Sequence, residues 1–82
     1  MVKVEFDQHF KKIISKLKSH TIKERILKLI LKIKENPDIG KPMKHNRKGT
    51  REVYPPSFRL SYAYNKAQES VVLLDLYHKD EQ

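Results

Sequence analysis

The chain has 82 residues, with 18 Lys/Arg against 10 Asp/Glu for a net charge of +8, and it contains no cysteine. This excludes a disulfide frame and a thiolate metal site, and leaves packing alone to hold one small domain, residues 1–82. The longest apolar run, Val71 to Leu74, is too short to cross a bilayer, and no signal-peptide core opens the chain, so a soluble cytoplasmic protein without membrane contact is expected.

Val2, Val4 and Phe6 alternate with Lys3, Glu5 and Asp7, the pattern of a short strand with one buried face. Asp7 is placed to cap a helix running to about Lys18. Phe10, Ile13, Ile14 and Leu17 form its single apolar stripe, ringed by lysines. Ser19 and His20 interrupt that stripe. Thr21-Ile22-Lys23-Glu24 then has the form of a capping box and predicts a second helix from Thr21. Ile22, Ile26, Leu29, Ile30 and Ile33 make the main stripe, widened by Leu27 and Leu31, and Asn36-Pro37 ends it. Neither helix is stable on one stripe alone, so two antiparallel helices lying on one face of a sheet are expected.

Asp38 to Gly49 reads as a loop, because it holds both glycines and has no apolar period. From Lys41 to Arg51 the chain carries five cations and no acid. Such a run favours an anionic partner, nucleic acid first, although lysine-rich helix faces are also ordinary solvated surface. No Gly-x4-Gly-Lys-Ser/Thr pattern is present, so no nucleotide-triphosphate loop is implied.

Arg51–Tyr54 predicts a strand, Pro55-Pro56-Ser57 a corner, and Phe58–Tyr64 a second strand with Phe58, Leu60, Tyr62 and Tyr64 on one face and Arg59, Ser61 and Ala63 on the other. After a polar hairpin at Asn65–Ser70, Val71–Tyr77 is nearly continuous apolar, as expected of a central strand covered on both faces. The fold class is therefore α+β, in the order β-α-α-β-β-β, with an antiparallel-rich twisted sheet. Ile26, Ile30, Leu60, Leu73 and Leu74 are expected in its core.

His9, His20, His45 and His78 lack metal-ligand spacing, the serines sit in no nucleophile elbow, and paired carboxylates at a plausible site are absent. No metal or cofactor is implied. What remains is a cationic site, and Lys, Arg, His and Tyr side chains without metal suit RNA, whose 2′-hydroxyl is an internal nucleophile. Arg51 and Arg59 lead the candidates because the guanidinium fork fits a phosphate. As an ordinary strand arginine, Arg59 would instead pair with Glu52 or Asp75.

Lys48-Gly49-Thr50-Arg51-Glu52-Val53-Tyr54, Ser57-Phe58-Arg59-Leu60-Ser61-Tyr62 and Leu74-Asp75-Leu76-Tyr77-His78-Lys79, preceded by Gly40-Lys41-Pro42, resemble the RelE/ParE toxin superfamily in order and spacing. The resemblance covers the whole chain. It implies a ribosome-dependent mRNA endoribonuclease that inhibits translation by metal-free cleavage and is held in check by a cognate antitoxin. Arg59 matches the family's Tyr/Phe-Arg arginine on the scissile phosphate. Arg51 falls where the preceding strand supplies a basic residue, with Lys48 as fallback, and His78 and Lys79 fall where the last strand often carries an acid or phosphate ligand. Lys44, His45, Arg47 and Lys48 are the expected RNA-binding residues. Many ribonuclease members add a C-terminal tyrosine that stacks on the base or acts as base. Tyr77 does not simply replace it, since it should point to the opposite face from His78. Two classes stay open: an RNA-cleaving toxin with Arg51, Arg59 and Lys79 together on the sheet face, and a non-catalytic member, either a gyrase-targeting ParE-like module or a decayed toxin neutralised by its antitoxin.

Overall fold

The computed structural model describes residues 2–43 and 49–79. A first strand, β1 (Lys3–Phe6), leads directly into helix α1 (Gln8–Lys16). Asp7 makes that junction, its carboxylate accepting the His9 N–H at 2.9 Å. The second helix, α2 (His20–Glu35), begins before the expected box. Its cap is Ser19, whose hydroxyl accepts the Ile22 N–H at 3.3 Å, while Glu24 turns to His20 at 3.3 Å. A single 3₁₀ turn at Pro37–Ile39 closes the helical layer.

Four more strands follow: β2 (Lys41–Pro42), β3 (Thr50–Val53), β4 (Phe58–Asn65) and β5 (Ser70–His78). The five lie in the order β1-β5-β4-β3-β2, with β1 parallel to β5 and every other pairing antiparallel. β2 falls inside the expected loop. Two residues, one of them a proline, carry no alternation to recognise, and the pairing of Lys41 with Glu52 and Pro42 with Arg51 makes it a strand.

Phe10, Ile26, Ile30 and Ile33 from the helices meet Val53, Leu60, Tyr62, Val71, Leu73 and Leu76 from the sheet. Four of the five expected core residues are buried, and Leu74 is only half-buried. Leu74 follows the inward-facing Leu73 and so turns toward the open face, and a register shift lies beside it: Ser61 faces Asp75 but Tyr62 faces Leu73, which leaves Leu74 as an extra residue in β5. The bulge changes which residues face inward, from Val71 and Leu73 before it to Leu76 after it. β5 is an interior strand, but the helices cover one of its faces and Val72 on the other stays half-buried. Phe6, Leu27 and Leu31, expected inside, are 42%, 59% and 58% exposed. Among the described residues no helix is long and apolar enough to cross a membrane.

Candidate active site

The sheet has one face packed against the helices and one open face, and strand alternation sorts the expected site residues between them. Leu60 is buried in the core, so its neighbour Arg59 projects from the open face, with Tyr77 directly across from it in the register. The Arg59 guanidinium lies over the Tyr54 ring, 4.3 Å from its centroid. An arginine stacked on an aromatic ring is held in place with its fork still available. Its Nε is sealed from solvent and has no hydrogen-bond partner. It pairs with neither Glu52 nor Asp75: no ion pair involves Arg59 among the described residues.

Glu52 is engaged elsewhere. The residue is 4% exposed, and its carboxylate accepts a 2.9 Å hydrogen bond from the Tyr77 hydroxyl. Because β4 lies between β3 and β5, the Tyr77 side chain must reach across β4, beside Arg59, to make that bond.

Arg51 is not part of this group. It faces Tyr62 in the register and precedes the core residue Val53 by two, which puts it on the helix face. There it pairs with the Asp38 carboxylate at 3.1 Å and donates to the Asp38 and Gly40 carbonyls at 3.2 and 2.7 Å. Tyr62 completes the joint by donating to the Pro37 carbonyl at 2.7 Å and accepting the Gly40 N–H at 2.9 Å. Gly40 has to be glycine here, since a Cβ would come within 2.6 Å of the Tyr62 hydroxyl. Arg51 thus ties the end of the helical layer to the sheet.

His78 is also on the helix side. It faces Phe58 of β4, with the two rings edge to face at 5.4 Å, near Ile13 of α1 and Leu17 just past its end. Lys79 is exposed just past the end of β5, where its N–H donates to the Ser57 carbonyl at 3.1 Å. It therefore stands at Arg59's end of the sheet. Lys44, His45, Arg47 and Lys48 lie outside the described residues. Of the four expected catalytic residues, Arg59 and Lys79 come to one end of the sheet, and Arg51 and His78 are on the other face. The expected joint face of Arg51, Arg59 and Lys79 does not form.

Three residues not counted among the expected site residues accompany Arg59: Tyr54, Glu52 and Tyr77. Alternation carried the signal for two of them, because Glu52 neighbours apolar Val53 and Tyr77 neighbours apolar Leu76. The partner strand was needed to show that Tyr77 and Arg59 face each other.

Residues 2–82 match the family model of the ParE toxin of type II toxin-antitoxin systems. The chain belongs to the ParE toxin family. It is a toxin of a type II toxin-antitoxin system, of RelE/ParE type. Solved structures agree on the fold at low sequence identity. The RelBE2 toxin-antitoxin complex of Mycobacterium tuberculosis has a chain 22% identical with a TM-score of 0.84, covering 95% of this chain and 98% of that one. The intact RelBE complex of E. coli has one 20% identical with a TM-score of 0.82, covering 95% and 96%. An archaeal RelE-RelB complex from Pyrococcus horikoshii gives 15% identity and a TM-score of 0.77, covering 99% and 98%. Comparison with curated proteins gives no match.

Proposed function

We propose that this ParE-family toxin cleaves mRNA on the ribosome in the cytoplasm, without a metal ion, with Arg59 holding the scissile phosphate. The observation that carries this is the state of Arg59: stacked on Tyr54, without a carboxylate partner among the described residues, and with a sealed Nε that makes no hydrogen bond. Buried polar groups are nearly always satisfied, so an orphan of this kind calls for an explanation, and a guanidinium held for an anion supplies one. A phosphate supplies two acceptor oxygens that fit the guanidinium fork and neutralise it. Lys79, at the same end, and the basic segment Lys44, His45, Arg47 and Lys48 would add sequence-independent attraction.

Primer extension on a reporter mRNA in a translating extract tests this directly. Arg59→Ala is expected to slow cleavage by about 10²–10³-fold with an unchanged thermal melt, because Phe58, Leu60 and Tyr62 anchor the strand. Arg59→Lys is expected to recover only part of the rate, since it keeps the charge and loses the fork. Cleavage by Arg59→Ala at the wild-type rate would remove the arginine from the mechanism.

A second possibility, a gyrase-targeting ParE-like module, is favoured by the dispersal of the cations, with Arg51 locked to Asp38 and His78 turned to the helices. Inhibition of supercoiling by purified gyrase, with intact mRNA in the extract, would decide for it.

The antitoxin of this system is proposed to dock on the helices. A nearly wholly apolar groove there is formed by Phe6, Phe10, Ile14, Ile26, Leu27 and Ile30, with Lys11 and Lys23 at its borders. Apolar floor and cationic rim suit an amphipathic segment with acidic flanks.

A further inference from the structure

Resting on the reading of Arg59 as a phosphate ligand, we infer that the hollow on the β2 side of Tyr54, lined also by Ile39, Pro55 and Lys41, holds the nucleobase attached to that phosphate. The hollow has a volume of about 360 Å³, within the usual range for small-ligand sites. It lies where β2 stops short. β2 pairs with β3 no further along than Glu52, so Val53 and Tyr54 have no strand beside them on that edge. Ile39 and Tyr54, 45% and 48% exposed and neither of them part of the core, line the hollow together.

The position of the Tyr54 ring ties this hollow to the phosphate site. β3 lies between β4 and β2, so Arg59 comes to the ring from the β4 side, 4.3 Å from its centroid, while Ile39 and Lys41 come from the β2 side. A nucleotide joins its phosphate to a flat aromatic base through one sugar, and here an anion site and an apolar wall are joined through one ring. Base–aromatic stacking accepts any base, since each has a π-face, and the wider purine covers more of the wall.

The charges of the hollow select a neutral occupant. Lys41 and Glu52 face each other in the register and both line it, so its cation stands beside a carboxylate. A second phosphate placed there would meet that carboxylate. A base would not be repelled, and its edge acceptors can take an N–H from the Lys41 ammonium. An apolar side chain of the antitoxin would leave Lys41 unused, and the apolar groove proposed for the antitoxin shares no lining residue with this hollow.

NMR titration of the purified toxin with guanosine 5′-monophosphate, uridine 5′-monophosphate and ribose 5-phosphate tests the site, with amide spectra showing that each variant keeps the fold. Wild type is expected to bind the guanine nucleotide about tenfold more tightly than ribose 5-phosphate, with the uracil nucleotide between them. Tyr54→Leu keeps apolar bulk and removes the stack, and should bring both nucleotides down to the level of ribose 5-phosphate. Because Tyr54 also supports Arg59, Lys41→Met on the β2 side provides the separate test. It should weaken both nucleotides about fivefold and leave ribose 5-phosphate unchanged. If the three ligands bind wild type alike and Arg59→Ala weakens all of them, the base site is overturned and the phosphate site stands. If ribose 5-phosphate binds wild type no better than Arg59→Ala, the phosphate site falls and the base site falls with it. Nucleotide binding at the wild-type level by both Tyr54→Leu and Lys41→Met, with weaker capture of the antitoxin, would give the hollow to the antitoxin and overturn the inference.

Discussion

At the scale of single residues, Tyr62 shows how a polar group earns its place in this core. It is fully buried, yet its hydroxyl both donates to Pro37 and accepts from Gly40. Burial pushes the phenol above its ordinary value of 10.0, the Gly40 N–H and the Arg51 charge pull it down, and Asp38 adds to the rise. The folded protein therefore holds this proton more tightly than the unfolded chain does. Its contribution to stability is complete below about pH 10 and is lost as pH rises from there through the raised folded value. Tyr62→Phe is expected to cost about 1–3 kcal/mol at neutral pH, since it orphans the Gly40 N–H. It should also show a shallower decline in melting temperature above pH 10 than wild type, and parallel melting curves from pH 7 to 11 would contradict this. Arg51 and Arg59 illustrate what the sequence alone leaves ambiguous. Both are strand arginines in basic surroundings, and only the parity of Arg51 with Val53 separates an arginine of the helix side from one of the open face.

At the scale of elements, regular patterns were legible and the exceptions have local causes. The periods of α1, α2 and β4 were visible because amphipathic stripes repeat. The bulge at Leu74 was not, because one extra residue leaves an apolar run looking continuous. The Ser19 cap was masked by a better-looking box two residues on, and burial of Leu27 and Leu31 failed because only part of the broad apolar arc of α2 meets the sheet. The Pro55-Pro56-Ser57 corner was legible as a break, and its geometry explains how Arg59 is set. Phe58 N–H donates to the Pro55 carbonyl at 3.1 Å with Ser57 at φ 68°, a turn whose third residue must be left-handed. The Ser57 carbonyl in turn holds the start of Lys79. A β-branched side chain tolerates that φ poorly, so Ser57→Val is expected to destabilise by about 1–3 kcal/mol. Chemical denaturation should show this, and an unchanged midpoint would mean that the corner does not need the left-handed residue.

At the scale of the whole molecule, the net charge of +8 and the apolar groove would act on an antitoxin docked as proposed by different physics. Exposed charges attract over about 10 Å at 0.1 M salt and over about 3 Å at 1 M, whereas burial of an apolar side chain is worth about 1.5–3 kcal/mol with little dependence on salt. A cognate antitoxin segment with acidic flanks and an apolar stripe should therefore bind this toxin more weakly as salt rises, yet keep a salt-resistant remainder. Leu27, more than half exposed and lining the groove, separates the two contributions. Leu27→Ala is expected to weaken the complex about tenfold at every salt concentration, and Lys23→Ala to weaken it at low salt while flattening the salt dependence. Titration calorimetry of the two variants against the antitoxin, from 0.1 to 1 M salt, reads both effects. Affinity that is independent of salt would assign the interface to the apolar groove alone, and Leu27→Ala binding as tightly as wild type would move the antitoxin off the helices and onto another face of the toxin.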